Sequence, residues 1–494
     1  MTDLLPFLPV WPVGSALVVL GLACAAARGR FLAPLGLAAV ALEGARLEGS
    51  GLPAVGALAI LAVVGLGALG SMRAGARDDA GSGPAGMGPG LSLIMAGALL
   101  LAVQLEHLGW LAPVLGLACV LERAVVPSRG SAGRDPATGE PTTSAHSWRG
   151  AVMISLASVS LVGLGAQGRL QDGGDVAVGW IGTPFAGDTP STLLFLGLVL
   201  PLALPPSWGG AAQALAAGPA RRDGGAFLQA GLLRGIALTV LLGRTFFGAD
   251  ALLNVGLAAA ALAPLMALLS RPDASRLLAL GVHGGLGVLL CFAAIASSGA
   301  AGALAMGVLA LAAAGSGSAL GLVLATEARE AEPGLGERGL GHVFPTAFAF
   351  TLLAVLALMA VPGTLSFEAF SSGLAAMSAD GAAVEAVALA ALSGSLATFV
   401  AAPFLRRVFF SAGAPGGHRE GRRARAPRAL LLSMALAAGA LLALGQAPGL
   451  LGALMPEGAA PTDRLLTPAQ QLQVLLGAAL LAGIVRRERS TPTG

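Results

Sequence analysis

Apolar runs of about 20 residues recur from one end of this 494-residue chain to the other, each long enough to cross roughly 30 Å of hydrocarbon. A backbone in lipid must satisfy its own polar groups, which leaves only helices and closed barrels. These runs lack the in-and-out alternation of a barrel strand, so the fold class is all-α and polytopic. The runs predict spans near 8–27, 31–44, 52–71, 91–106, 108–122, 150–167, 191–208, 226–245, 251–269, 276–296, 300–326, 342–361, 383–404, 429–447 and 468–485. The second and fifth are short, giving about 14–15 transmembrane helices. Residues 1–27 carry no basic stretch ahead of the apolar run, and read as a first span rather than a leader.

All 29 basic residues are arginine. With the N-terminus outside, 24 of them fall in the inner loops or at inner helix ends, Arg28, Arg73, Arg129, Arg221, Arg271, Arg406, Arg423 and Arg487 among them. The outer side receives four: Arg46, Arg169, Arg244 and Arg464. Positive charge is retained on the cytoplasmic side, so this bias supports the span order and places the C-terminus inside. The expectation is a multi-pass protein of a bacterial-type inner (plasma) membrane. The remaining arginine, Arg234, sits well inside an apolar segment. Lysine and tyrosine are absent and Asn254 is the only asparagine, a pattern that GC-rich coding explains.

Two spans contain helix-breaking residues. One reads LVLPLALPPSW, with Pro201, Pro205 and Pro206; the other reads LMAVPGTLSF, with Pro362 and Gly363. Proline removes a backbone donor and clashes with the preceding turn. Spans four to eight and nine to thirteen form two blocks of five, and the broken span is fourth in each. An odd number of spans per block runs the second block inverted relative to the first. Inverted repeats with discontinuous helices point to a transporter with its working site near the midplane. The chain then divides into N-terminal helices (1–90), a first five-helix repeat (91–245), an inverted second repeat (251–410), and an arginine-rich connector with the last two helices (411–494). The longest polar breaks are too short for a soluble domain. Cys24, Cys119 and Cys291 are isolated in apolar runs, and Gly231-x-x-x-Gly235 and Gly281-x-x-x-Gly285 are candidate packing faces.

Within this architecture, Asp273–Leu290 (DASRLLALGVHGGLGVLL) resembles the entry of a central span in the antiporter-like membrane subunits of respiratory complex I and Mrp cation/proton antiporters. Asp273, Arg276, Leu277, Leu278, Ala279 and Gly287 fit that pattern. Pro201 and Trp208 resemble the family's first broken helix. Pro362, Gly363, Thr364 and Phe367 resemble the second, most like the subunit M branch. The resemblance covers roughly residues 90–410. It implies proton translocation in the membrane arm of an NADH–quinone oxidoreductase, with NADH and quinone handled by partner subunits. Other membrane-arm subunits and the lipid bilayer would be the partners.

The departures fall on charged positions. Where the family carries a glutamate in its fifth span and a lysine in its first broken helix, spacing places Leu111 and Val199; other charged positions align with Ser275 and Phe370. The family histidine aligns with Gly285, with His283 two residues earlier on another face. The remaining candidates for a proton path are Arg234, Glu368 and His283. Arg234 keeps the charge of the eighth-span lysine; a cation at the bilayer centre costs about 2.5–3.5 kcal/mol, so it faces protein or water. It reads either as a snorkelling or paired structural arginine or as a fixed charge, since arginine stays protonated. Glu368 reads as a loop residue or a relay carboxylate, and His283 as a packed ring or a titrating one. The chain has no phosphate-binding loop, cysteine cluster or histidine pair, so no nucleotide, nucleic acid, metal, iron–sulfur cluster or haem is expected on it, and no catalytic residue. Rivals remain open: a non-conducting structural subunit, an Mrp-type or membrane-bound hydrogenase subunit, or an independent secondary transporter.

Overall fold

The computed structural model describes residues 38, 51–71, 87–125, 144–172, 188–203, 224–270, 274–331, 340–409 and 426–452. The expected spans at 8–27 and 468–485, most of 31–44, Pro205, Pro206, Cys24 and most of the 411–428 connector lie outside these residues. The described chain is helical throughout, with short turns between helices and no strand. It runs α1 (Leu52–Ser71), α2 (Met87–Gln104), α3 (Leu111–Val125), α4 (Ser144–Gln171), α5 (Thr189–Ala203) and α6 (Gly224–Thr245). There follow α7 (Asp250–Ser270), α8 (Ala274–Ala293), α9 (Ser298–Ala331), α10 (Pro345–Leu358) and α11 (Leu365–Ala379). Last come α12 (Ala383–Phe409), interrupted by a π-helical turn at Ala397–Ala401, and α13 (Arg428–Gln446). Seven of the described helices are long and apolar enough to cross a membrane. The protein is a multi-pass membrane protein.

Helix α9 is the hub. It is 34 residues long and rich in Gly, Ala and Ser, and it packs against α1, α6, α8, α10, α11 and α13. Small residues let neighbouring backbones come close where lipid offers no hydrophobic drive to associate. Gly315 meets Leu232 of α6, Gly307 meets Leu289 of α8, and Gly317 meets Ala354 of α10 and Ala437 of α13. Another tight crossing joins α7 and α8. A Cβ at Gly287 would stand 2.6 Å from the Ala260 nitrogen, and one at Gly256 2.6 Å from the Gly287 carbonyl oxygen. Gly281 and Gly285 do not form one packing face: the first looks at Val400 of α12 and the second at Leu311 of α9.

The two blocks use the same pairing scheme. In α2–α6 the first helix packs on the second, the second on the third, the third on the fourth, and the fifth touches the first, second and fourth. The block from α7 to α12 repeats these contacts with α10 and α11 together as its fourth member.

The second broken span differs from its sequence-based outline. The apolar run ends near 361, but the chain resumes as a 15-residue helix, α11, beyond the expected span. Its sequence, LSFEAFSSGLAAMSA, dilutes hydropathy with serines and a glutamate. Burial against α9 stabilises it instead, with Ala369 facing Gly307 and Ala376 facing Gly299. Thr351 and Ala354 of α10 face Gly321 and Gly317, further along the same helix. Helices α10 and α11 thus form one interrupted column antiparallel to α9.

Candidate functional site

The interruption lies at 359–364. Ala360 and Gly363 both adopt left-handed backbone, at φ 49° and 88°; that conformation is costly for a residue with a Cβ and ends the helix. Thr364 restarts it: its hydroxyl donates to the Val361 carbonyl (2.7 Å) and accepts from the Phe367 N–H (3.4 Å). Helix α13 closes over the break. Gln446 Nε2 donates to the Gly363 carbonyl at 3.3 Å, and a Cβ at Gly445 would fall 2.5 Å from the Thr364 carbonyl carbon. A broken membrane helix is tolerated where other groups take up the freed backbone.

Helix α9 serves as a depth scale for the candidate residues. The break falls between Ala354, level with Gly317, and Ala369, level with Gly307. Arg234 is two residues beyond Leu232, which meets Gly315, and His283 is two before Gly285, which meets Leu311. Arg234, His283 and the break therefore share one layer across the bundle. Both side chains are buried, Arg234 to 4% exposure and His283 to 1%. Neither points at α9. Two residues are about 200° of helix turn, so Arg234 faces the opposite side of α6 from Leu232. His283 shares a stripe with Gly287 and Cys291, four residues apart, and that stripe packs on α7. Neither ring nitrogen of His283 has a hydrogen-bond partner among the described residues. The hydroxyls of Thr239, Ser316 and Ser318 are likewise buried and unsatisfied. Buried polar groups in proteins are normally paired with protein or ordered water.

The other candidates scatter. Glu368 lies in the first turn of α11, just past the break, half-buried. Val199 and Pro201 lie inside α5, buried in its packing on α4 and α6. Phe370 is buried edge-on against Phe292, ring centroids 6.1 Å apart. Ser275 opens α8, and Leu111 opens α3 directly after the turn at 105–110. Arg244 binds that turn, donating to the Val103 and Leu105 carbonyls (the latter at 3.2 Å). Leu111 is thus near the Arg244 end of α6, about 15 Å along the helix from Arg234. The structure does not bring Leu111, Ser275 and Arg234 together. In the same turn, His107 Nδ1 accepts from the Gly109 N–H at 3.1 Å, a capping role.

Sequence reasoning gave no hint of Gln446, whose bond to the break depends on a helix 83 residues away. Nor did it reveal an apolar crevice between α8, α10 and α12, walled by Leu278, Gly281, Met359, Val400 and Phe404. Among the described residues no cluster of His, Cys, Asp and Glu could hold a metal.

Known structures share this architecture. A chain of the Mrp complex from Dietzia sp. DQ12-45-1b superposes with a TM-score of 0.68 at 19% identity over 97% of this protein. The present chain spans 57% of that chain's length. A chain of respiratory complex I from Thermus thermophilus gives 0.61 at 19% identity, covering 89% of this chain and 96% of the other. The protein shares the fold of these two chains. A chain of the membrane-bound sulfane sulfur reductase, an archaeal respiratory membrane complex, also carries it, at TM-score 0.61 and 15% identity over 96% and 99% of the two chains. No protein-family model and no curated protein sequence matches. Sequence identity this low leaves the fold as the shared property, and the chemistry rests on this chain's own residues.

Proposed function

We propose that the protein is an antiporter-like membrane-arm subunit of a complex I-type NADH–quinone oxidoreductase, with a proton path reduced relative to other members of that family. The observation that carries this reading is the shared layer of Arg234, His283 and the helix break in a bundle with the antiporter-like fold. The matching helix pairs of the two blocks support an inverted repeat around that layer. Arg234 would act as a fixed positive charge, holding water and shaping the field rather than passing a proton, since a guanidinium does not deprotonate in proteins. His283 and Glu368 would be the groups able to exchange protons. Val199 and Phe370, apolar and packed, interrupt the path where relatives carry charge. The chain itself would hold no redox centre; NADH and quinone would react on partner subunits. The arginine bias supports an N-terminus outside and a C-terminus in the cytoplasm.

A subunit of an Mrp-type antiporter is the second reading, favoured by the Mrp-complex chain's TM-score of 0.68 and 97% coverage. The test is to reconstitute the purified complex and measure protons moved per electron pair in wild type, Arg234→Ala and Glu368→Gln. A fall in stoichiometry in either variant is expected. Unchanged stoichiometry in both would remove these residues from the path. Sodium-dependent proton flux without redox turnover would favour the Mrp-type reading.

A further inference from the structure

The turn between α10 and α11 is held both by its own bonds and by a neighbouring helix. Pro362 and Gly363 form its corner. The Thr364 N–H donates to the Val361 carbonyl at 3.3 Å, and Gly363 takes the positive φ, 88°, that the third position of a Pro-Gly turn favours. The Thr364 hydroxyl donates to the same Val361 carbonyl and caps α11. The Gly363 carbonyl takes no part in these bonds, and a carbonyl left over at a break in a membrane helix needs a donor from elsewhere.

Helix α13 supplies that donor. It packs on both α10 and α11 and so spans the break, and it ends there, with Pro448 just beyond. Gln446 Nε2 donates to the Gly363 carbonyl at 3.3 Å. Gly445 allows the approach: a Cβ there would fall 2.5 Å from the Thr364 carbonyl carbon, 2.6 Å from the Leu365 nitrogen and 2.8 Å from the Gly363 carbonyl oxygen. All three are main-chain atoms, so no side chain can yield. Gln446 and Pro362 are both exposed, which places this contact on the outward side of the break. Further back along α13, the Ser433 hydroxyl donates to the Leu66 carbonyl of α1 at 2.6 Å, fastening the same helix a second time.

Glu368 hangs from this contact. Its N–H donates to the Thr364 carbonyl at 3.3 Å, the Phe367 N–H donates to the same oxygen at 3.0 Å, and the Ser371 hydroxyl donates to the Glu368 carbonyl at 3.1 Å. The first turn of α11 is thus built on Thr364, the residue whose carbonyl lies against Gly445. We infer that Gly445 and Gln446 are positioning residues for Glu368: the end of α13 clamps the break, fixes the first turn of α11, and so aims the carboxylate. The consequence for proton movement rests on the translocation reading above; the clamp itself does not.

The test uses the purified, reconstituted complex and two readouts, hydrogen exchange of the 361–370 segment by mass spectrometry and protons moved per turnover. Gln446→Met keeps the length of an exposed side chain and removes its donor. Exchange is expected to speed up about fivefold, the scale of one lost hydrogen bond. Proton movement is expected to fall about tenfold, since displacing a reacting group by a fraction of an ångström costs on that order. Gln446→His, whose Nε2 stands as many bonds from Cβ as that of glutamine, should restore both. Gly445→Ala should also speed exchange, because the added methyl pushes the two backbones apart. In a Glu368→Gln background, Gln446→Met should lower proton movement no further. Unchanged exchange in Gln446→Met or in Gly445→Ala overturns the clamp. Faster exchange with wild-type proton movement, failed rescue by histidine, or a further fall in the double variant overturns the positioning of Glu368. A complex that moves no protons in any form removes the translocation reading, and exchange alone then decides the clamp.

Discussion

The third helix of each block packs along the fourth, but α4 and α9 live in different surroundings. Helix α4 turns Met153, Leu156, Leu164 and Leu170 outward, and 28% of its membrane-length window is buried inside the protein. The same measure for α9 is 89%. Their partners, α5 and the α10–α11 column, are held differently. Helix α5 sits in glycine notches at Gly165 and Gly168 and is also tied by polar groups. The Ser158 hydroxyl donates to the Gly197 carbonyl at 2.6 Å, and Arg169 pairs with Asp188 at 3.1 Å. Asp188 in turn accepts from the Ser191 hydroxyl at the start of α5. The α10–α11 column has small-residue contacts on α9 and the cover of α13. The same pairing scheme thus rests on close glycine contacts in both places, and at the periphery charges and hydroxyls are added to the steric fit.

This contrast can be broken most forcefully from the α9 side. A Cβ at Gly321 would lie within 2.9 Å of three Thr351 atoms, so Gly321→Leu is expected to cost about 3 kcal/mol or more through overpacking. Gly163→Ala on α4, with an ordinary 3.5 Å contact to Ala112, should leave stability equal or up to about 1 kcal/mol higher. Thermal unfolding in detergent, followed by size-exclusion chromatography, reads both; equal losses would erase the distinction between the two helices.

Next in size is Phe370→Glu, which puts a carboxylate against Phe292. Its expected cost is about 2.5–3.5 kcal/mol in the same assay. A tolerated substitution would mean that water already reaches this part of α11, contrary to its packed appearance.

On the α4 side the effects should be smaller. Ser158→Ala removes one buried hydrogen bond and is expected to cost about 1 kcal/mol, a direct measure of the polar ties. Arg169→Ala, at a half-exposed ion pair, should cost less than about 1 kcal/mol and lose even that difference in high salt. A larger effect of Arg169 than of Ser158 would place the main anchor of α5 at its end rather than along its length.

The sequence made the spans readable because roughly 20-residue apolar runs have few alternatives in lipid. Pro362 and Gly363 also marked their break correctly, since φ restrictions act locally. What stayed hidden depends on neighbours. Helix α11 has the polarity of a loop and becomes a helix against Gly307 and Gly299. The π-helical turn at Ala397–Ala401 has no proline or glycine of its own. The depth shared by Arg234 and His283 emerged only when both could be measured against α9. Leu111, at the start of α3, lies near the Arg244 end of α6, a neighbourhood that spacing from Trp110 does not give. Counting residues along a chain fixes position within a helix but not which ends meet.

Arg244 gives the charge count a further meaning. It is one of only four arginines on the sparse side, and it is committed to the last carbonyls of α2, where a cation opposes the helix's negative pole. Arg169, another of the four, is matched by Asp188. During insertion an arginine acts as a topological signal, but one neutralised by a carbonyl cluster or a carboxylate in the finished fold serves as a rivet. The exceptions to the charge rule that can be seen here are therefore fasteners, each joining the end of one helix to another part of its own block.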